Sequence, residues 1–474
     1  DVDTHHCIGL VLYQNHWLPT FETVVVNFPA MVVVHAMAIQ LFGNTVSGFR
    51  LLEFLWQTVA LFAIYKVSRL WLPSRASLLG CFFFAIYYVF GPDQFLGQPD
   101  CFAILPLVLG IGFSIKASRE QAVRAQRLWA IGAGIFYAIA VWFRPTFSLV
   151  LVLPLPFLFD LRNRLGRIRA ILALSAFALV IGSYVLLLAS VPGGLQQEYL
   201  YFIRYNFEVY SHAYHLEAYS KRAWIAAGMV VFWSLSEILK KKRGKGEEFS
   251  MPLAERRFLF ASYAAVALDV ILMGRLAGYH FVPFCSLFMP VLAAILWEWK
   301  DVVNVKYQKW IFASMIALLT ILLYPSGKLS KAIWSTRSEA FTEAWYEDPV
   351  DSMTVAYISR YTNASDSVEV AAFSPSLRWR IDHPHVTHFT TVVGLFTRKP
   401  DGRFTDYQQK WREEYVNRIA SSRPKFYIAQ NPLSNNHEAS GLTLLLELPG
   451  LSNLLTQSYR LDTTIGRYWI YERR

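Results

Sequence analysis

Charged residues are scarce in this sequence, and long runs of the chain contain none. They make up 17% of its 474 residues, whereas hydrophobic residues make up 54%. A soluble domain averages about 25% charged and about 45–50% apolar residues. The composition therefore argues against a wholly soluble protein, and we expect one part of the chain to be membrane-embedded and another part to be soluble.

Cysteine is also rare. The four cysteines are Cys7, Cys81, Cys101 and Cys285, and no two of them form a CxxC pair. This spacing argues against a disulfide framework. Three of the four lie within or beside apolar segments, where a small buried hydrophobic side chain is the simpler interpretation.

Acidic residues are fewer than basic ones, and the net charge is +11. In a soluble protein this excess would suggest nucleic acid as a partner. Here Lys and Arg cluster in short loops between apolar runs, which is typical of the cytoplasmic loops of membrane proteins. We therefore expect membrane lipids, and no nucleic acid, among the partners.

Apolar runs recur along the first two thirds of the chain. A helix that crosses a bilayer needs about 20 apolar residues. The predicted spans, about ten in number, are residues 49–71, 76–90, 101–115, 128–143, 147–159, 170–190, 223–239, 258–273, 281–297 and 310–324. The shorter run from Pro29 to Phe42 predicts an interfacial or re-entrant helix.

The loops between these spans alternate in charge. One set, which includes residues 240–245, carries nearly all of the loop Lys and Arg and is therefore predicted to be cytoplasmic. The other set lies outside; it comprises Asp1, Asp100, Arg144, the Tyr-rich loop from Val191 to Arg222, His280 and the C-terminal tail. We therefore expect an integral membrane protein whose first loop and C-terminal tail both face the outside.

After Pro325 the composition changes. Three short strand-like pieces, VEVAAF, KFYIAQ and RYWIYE, alternate with probable helices at Phe404–Ser421 and Leu444–Gln457. This alternation predicts a small α/β domain. The predicted fold is an α-helical polytopic membrane protein with a small C-terminal extracytoplasmic α/β domain. The predicted domains are residues 1–46 (first outer loop), 47–325 (transmembrane) and 326–474 (tail).

Three acids lie in predicted outer loops. An ionised carboxylate beside a membrane bundle is usually functional or paired, although Asp1 and Asp3 could equally lie in solvated loop. Asp100 starts a predicted span, where it is either the N-cap of the helix or a second acid that assists a divalent cation.

Basic and aromatic residues of the outer loops form a second group of candidates. Arg144 and Arg275 either snorkel to lipid headgroups or bind an anionic headgroup, because a guanidinium matches a phosphate; His280 could assist them. The Tyr-rich loop forms either an interfacial aromatic belt or a sugar-binding or lid surface. Its candidate residues are Arg204, Tyr205, Asn206 and Tyr210.

Several short motifs occur in a familiar order. After the outer acids come Leu18-Pro19, Asn27-Phe28-Pro29, Leu41-Phe42-Gly43, Arg50-Leu51-Leu52 and, later, Gly274-Arg275 with Tyr279-His280-Phe281-Val282-Pro283. This order resembles the GT-C glycosyltransferases of the protein O-mannosyltransferase and aminoarabinose transferase type, including bacterial dolichyl-phosphate-mannose mannosyltransferase-like proteins. The resemblance covers nearly the whole chain. Since a transmembrane helix precedes the first outer loop in that family, we expect one before residue 1.

The resemblance implies the GT-C fold and an inverting glycosyltransferase, mannosyltransferase-like, at the outer face of the membrane. It also implies a bacterial plasma membrane, with the active site and the C-terminal domain on the periplasmic or extracellular side. The donor is a sugar on a polyprenyl phosphate, and the acceptor is a hydroxyl of a lipid, glycan or protein. An aspartate of the first outer loop is the general base; we favour Asp1 over Asp3. One base suffices because the phosphate leaves without protonation.

The departing phosphate needs a cation beside it. Arg144, Arg275 or a metal could supply that charge. The candidate cofactor is a divalent cation, Mg²⁺ or Mn²⁺, with Asp1 and Asp100 as its candidate ligands.

Two other functions are compatible with the sequence. A lipid-linked glycan flippase or transporter would place charges in the middle of spans, but the predicted spans contain few charges apart from Glu53 and Lys66. A sensor would bind its ligand in the C-terminal domain. Transfer of a labelled sugar by the purified protein distinguishes all three.

Overall fold

The computed structural model of the chain describes residues 2–17, 29–89, 97–205, 208–209, 252–272, 278–299, 348–372, 375–399, 401–431 and 445–474. These residues divide into two compact units. One unit, called here the membrane unit, takes its residues from 50–186 and 215–344. The other, called the composite unit, takes them from 1–49, 187–214 and 345–474.

Helices dominate the chain before the C-terminal region. In chain order they are α1 (Val2–Gln14), α2 (Ala30–Phe42), α3 (Val46–Ser68), α4 (Ser74–Val89), α5 (Pro99–Arg119), α6 (Val123–Phe143), α7 (Ser148–Val152), α8 (Leu155–Leu158), α9 (Arg164–Ser190), α10 (Gly194–Glu198), α11 (Leu253–Leu272) and α12 (Val282–Trp299). Short 3₁₀ turns cover Pro145–Phe147 and Gly278–Phe281, and a π-helical turn covers Tyr199–Tyr205.

Four of these helices, α3, α5, α6 and α9, are long and apolar enough to cross a membrane. The predicted helical membrane fold is therefore confirmed. The total of about ten spans stays a prediction, because residues 223–239 and 310–324 lie outside the described residues.

One predicted span is not a continuous helix. Residues 147–159 form the end of a 3₁₀ turn followed by the short helices α7 and α8. Pro145 and Pro154 have no amide hydrogen and clash with the preceding helical turn, so each interrupts the helix. The apolar run alone did not reveal this break.

Small residues allow the helices of the membrane unit to approach closely. A Cβ atom at Gly80 of α4 would lie 2.5 Å from the Cα atom of Pro290 in α12. A Cβ atom at Gly134 of α6 would overlap the carbonyl oxygen of Ala173 in α9. Larger residues at these two glycines would force the helices apart.

The C-terminal part of the composite unit is an α/β domain, as predicted. Its elements are α13 (Pro349–Tyr361), β1 (Val368–Ala371), α14 (Ser376–Arg380), α15 (Val393–Phe396), α16 (Asp406–Ser422), β2 (Phe426–Gln430), α17 (Leu451–Ser458), β3 (Tyr459–Ile465) and β4 (Tyr468–Arg473). The strand order is β1-β2-β4-β3, with β1 parallel to β2 and the other pairs antiparallel. Helices therefore cover a mixed sheet.

Side chains of the strands alternate between two hydrophobic cores. Val370 and Ile428 point to the core that contains Ile358 of α13. Tyr427 points to the other core, which contains Trp411 of α16. Burial on both faces explains why β1 and β2 consist of buried residues throughout.

The same domain contains a buried ion pair. Glu369 of β1 is fully buried and accepts hydrogen bonds from Arg378 Nη1 at 3.1 Å and from Thr387 Oγ1 at 2.6 Å. The backbone N–H groups of Val386 and Thr387 also donate to it, each at 3.2 Å. Burial raises the pKa of Glu369. These contacts give this acid a structural role within the domain.

The first two helices pack against each other in the composite unit. Ile8 and Leu12 of α1 lie on one face and contact Val32 and Ala36 of α2. A Cβ atom at Gly9 would lie 2.7 Å from the Cβ atom of His35, so only glycine permits this approach. The predicted helix from Pro29 to Phe42 is confirmed as a helix, and its interfacial or re-entrant placement stays a prediction.

Candidate functional site in the membrane unit

Arg144 is the centre of a buried polar cluster in the membrane unit. It follows α6 directly, in an extended conformation, because Pro145 prevents the helix from continuing. Its side chain is only 4% exposed. The prediction that Arg144 snorkels to lipid headgroups is therefore wrong, because the guanidinium is enclosed by protein.

Asp100 is the first partner of Arg144. Its carboxylate Oδ1 accepts a hydrogen bond from Arg144 Nη1 in a buried salt bridge. Gln98, not Asp100, is the N-cap of α5, and Asp100 lies in the first turn of the helix. The N-cap interpretation of Asp100 is therefore wrong, and the carboxylate belongs to the cluster instead.

His280 joins the same two side chains. It lies on the 3₁₀ turn Gly278–Phe281 that precedes α12, and it is buried. Its Nδ1 atom is 3.1 Å from Arg144 Nη1 and 3.3 Å from Asp100 Oδ2. This nitrogen accepts from the guanidinium in one tautomer and donates to the carboxylate in the other.

Asp269 is the fourth member of the cluster, and sequence reasoning missed it. It belongs to α11, is completely buried, and places Oδ2 3.3 Å from Arg144 Nη2. A signal for it existed, since an acid inside an apolar run is a candidate functional residue by default.

We call Asp100, Arg144, Asp269 and His280 the Arg144 cluster. It brings together three of the predicted site residues from α5, α6 and the turn before α12, although they are far apart in sequence. A phosphate accepts from a guanidinium through the same kind of charged hydrogen bonds as a carboxylate, so it can take the place of a carboxylate partner. The arrangement therefore suits a phosphate that competes with a carboxylate for one cation.

Of the other predicted site residues, three belong to the composite unit and four lie outside the described residues. Asp3 belongs to the first turn of α1 in the composite unit. Arg204 and Tyr205 also belong to the composite unit. Asp1, Asn206, Tyr210 and Arg275 lie outside the described residues.

Arg204 and Tyr205 pack against the α/β domain. The Arg204 guanidinium lies 4.7 Å from the centre of the Tyr407 ring, and Nε donates to Glu208 Oε1 at 2.8 Å. Tyr205 is part of the core around Trp411, and Tyr201 stacks on the Trp411 ring with centroids 4.2 Å apart. These contacts explain the aromatic residues at 201 and 205 as packing groups.

A divalent cation does not fit the described residues as they stand. Asp100 was a predicted ligand, but Arg144 contacts one of its carboxylate oxygens and His280 the other. Within the described ranges, no group of three His, Cys, Asp or Glu side chains is arranged to hold a metal ion. Asp1, the other predicted ligand, lies outside them. Dependence on Mg²⁺ or Mn²⁺ stays a prediction.

Part of the chain matches a known protein family in sequence. Residues 29–188, which include Asp100 and Arg144, match the family model described as dolichyl-phosphate-mannose-protein mannosyltransferase. No curated protein sequence matches the chain.

Among the solved structures that share the fold are two of one bacterial protein and one of an archaeal protein. The chain is similar to ArnT from Cupriavidus metallidurans in the apo state (TM-score 0.57) and bound to undecaprenyl phosphate (TM-score 0.55). Each is 12% identical, with 99% of this chain and 93% of that chain covered. It is also similar to the apo oligosaccharyltransferase of Archaeoglobus fulgidus, with TM-score 0.54, 12% identity, and 90% of this chain and 66% of that chain covered.

The helical membrane fold, the small C-terminal domain with a four-stranded sheet and the family match point to the same group of proteins. The expectation of a GT-C glycosyltransferase fold raised by the sequence motifs is thereby confirmed, and residues 29–188 resemble the mannosyltransferase family in sequence.

Proposed function

We propose that this protein transfers a sugar from a polyprenyl-phosphate donor to a hydroxyl acceptor on a lipid, glycan or protein, with inversion at the anomeric carbon. The observation that carries the proposal is the buried Arg144 cluster. One cation held between two carboxylates is suited to receive a phosphate in place of one of them. Undecaprenyl phosphate is bound in one of the structures that share the fold.

Within this proposal, Arg144 stabilises the negative charge that develops on the leaving phosphate. Asp100 and Asp269 orient the guanidinium before the donor binds, and the carboxylate that remains paired keeps it oriented during the reaction. His280 lies against the same guanidinium and can hold the exchanged carboxylate by donating a proton from Nδ1. The base that deprotonates the acceptor comes from the first outer loop, where Asp1 and Asp3 are the candidates.

The test is a transfer assay with the purified full chain in lipid nanodiscs. The probes are undecaprenyl phosphates that carry labelled mannose or labelled aminoarabinose, each with total membrane lipid or glycan as the acceptor. Sugar should leave the donor only in the presence of protein. A donor that stays intact while the labelled lipid moves between leaflets would support a flippase and contradict the transferase.

The flippase alternative rests on charges within spans, and the structure adds Asp269 to that group. Asp269 lies three residues from the end of α11, and Glu53 lies seven residues from the start of α3. Both are paired with an arginine, Asp269 with Arg144 and Glu53 with Arg50. Paired acids near helix ends favour a fixed site over a path across the membrane.

The proposal also specifies the orientation. The charge alternation predicts that residues 240–245 are cytoplasmic and that Asn363 is outside. We expect a membrane-impermeant maleimide to label Asn363→Cys on intact cells and Lys242→Cys only after permeabilisation. Asn363 is exposed, and the four native cysteines are buried, so the unmodified chain is the control. Labelling of both positions from the same side would contradict this topology.

A further inference from the structure

Helix α3 directs three polar side chains at the start of α5. Glu53, Trp56 and Gln57 are spaced three and four residues apart, so they lie on one face of the helix. We call them the α3 triplet. All three contact backbone atoms between residues 97 and 102, on both sides of Asp100.

Pro106 explains one of these contacts. In a regular helix the N–H of residue 106 would donate to the carbonyl of Phe102. Proline has no N–H, so α5 cannot supply that donor itself. Trp56 Nε1 donates to the Phe102 carbonyl at 3.0 Å instead, and Gln57 Nε2 donates to the Cys101 carbonyl at 3.1 Å.

Glu53 supplies the third contact. Its Oε1 atom accepts from the backbone N–H of Gly97 at 2.5 Å and from the Tyr88 hydroxyl at 2.9 Å. Its Oε2 atom accepts from Arg50 Nη1 at 2.7 Å. Gly97 adopts φ +71°, which is unfavourable for other residues, directly before the turn that begins α5. Glu53 therefore fixes where the helix that carries Asp100 begins.

The triplet also reaches the residue beside Arg144. The Trp56 ring lies 5.6 Å from the Phe102 ring and 6.1 Å from the Phe143 ring, measured between centroids. Phe102 and Phe143 stack on each other at 6.2 Å. Phe143 is the last residue of α6 and directly precedes Arg144, and Phe102 lies two residues after Asp100. The Trp56 ring therefore lies close to the backbone on either side of the Asp100–Arg144 pair.

We propose that the α3 triplet consists of positioning residues that set the geometry of the Asp100–Arg144 pair. This inference rests on the proposed function, because that pair is where the donor phosphate is expected to bind. Among the described hydrogen bonds, none joins the triplet to the side chain of Asp100 or Arg144. The triplet acts through the backbone at the start of α5. A displacement of that backbone would move the carboxylate relative to the guanidinium.

The test exploits Pro106. Trp56→Phe keeps an aromatic ring but removes the donor to the Phe102 carbonyl. We expect it to lower kcat/KM for the donor by about tenfold, the cost of leaving one buried acceptor without its partner. Pro106→Ala restores the N–H of α5. In the Pro106→Ala background, Trp56→Phe should therefore lower kcat/KM by less than about twofold.

Thr58→Ala is the matched control, since Thr58 is on the same helix, is exposed, and donates only to the Phe54 carbonyl among the described bonds. It should keep the activity of the unmodified chain. An equal loss from Trp56→Phe with and without Pro106 would overturn the positioning role, because a purely structural contribution of the indole would not depend on residue 106.

Hydrogen exchange separates this inference from the proposed function. Amides of residues 97–105 should exchange faster in Trp56→Phe and return toward the unmodified rate in the double variant, without any substrate. If the unmodified chain transfers no sugar but shows this exchange pattern, the proposed function fails and the backbone contacts stand. If it transfers sugar and neither readout depends on Pro106, the positioning role fails.

Discussion

Replacing Arg144 with Gln is expected to lower kcat/KM for the polyprenyl-phosphate donor by at least about 10²-fold, the usual cost of removing one preorganised group that stabilises a developing anion. Arg144 is the cation that contacts both Asp100 and Asp269. Gln keeps some of the volume and hydrogen bonding but lacks the charge. Initial rates with labelled donor at several concentrations measure the effect.

Stability must be measured beside activity for this variant. Removing one partner of a buried ion pair costs about 3–5 kcal/mol, because a charge stays buried without compensation. Here two carboxylates would be left. The companion variant Arg144→Gln/Asp100→Asn/Asp269→Asn removes all three charges together, and we expect it to regain thermal stability without regaining activity.

Arg119→Gln is the matched control for Arg144. Arg119 also forms a bidentate ion pair with a buried acid, Glu255, at 2.5 and 2.8 Å, but at the opposite end of α5. It should keep kcat/KM within about threefold, since this ion pair lies at the other end of α5 from the Arg144 cluster, while its loss should lower the thermal stability to a similar degree. Recovery of activity in the charge-free companion variant would show that Arg144 only stabilises the fold.

The second large effect concerns the base. The reaction needs a carboxylate that accepts the proton of the acceptor hydroxyl, and the first outer loop offers Asp1 and Asp3. We expect Asp1→Asn to lower kcat by at least about 10²-fold, the scale of general-base catalysis, with donor binding retained. Asn keeps the size of the side chain and removes its basicity.

Asp3→Asn is the comparison, measured with the same labelled donor. Asp3 lies in the first turn of α1, so the thermal stability of its variant is measured beside its activity. We expect its effect on kcat to be smaller than that of Asp1→Asn. Loss of turnover only in Asp3→Asn would transfer the role of base to Asp3, and full activity of both variants would refute the assignment to this loop.

The strands show what the sequence reveals and what it conceals. The runs VEVAAF, KFYIAQ and RYWIYE correspond to β1, β2 and β4. They are recognisable in the sequence because buried strands need apolar residues. β3 was not predicted, because it is an edge strand whose Arg460, Leu461 and Asp462 are exposed. An edge strand needs little apolar character, so its pattern does not differ from that of a loop.

The candidate site was predictable only in part, for a related reason. Asp100, Arg144 and His280 were candidates because each lies beside a loop, at the end of an apolar run. Asp269 was hidden inside such a run. No pattern in one sequence states that residues from α5, α6, α11 and the turn before α12 meet, since that pairing depends on how the helices pack.

The mixed sheet of the composite unit has a consequence for biogenesis. β4 lies between β2 and β3, so the strand that is synthesised latest occupies an interior position of the sheet. Tyr205 and Val209, made more than 200 residues earlier, belong to the core that this sheet covers. Contacts of such long sequence separation close late and slowly. Until β4 is made, both of its neighbouring strands present unpaired edges, so nascent chains arrested before Tyr468 should be especially open to proteolysis and to chaperone capture.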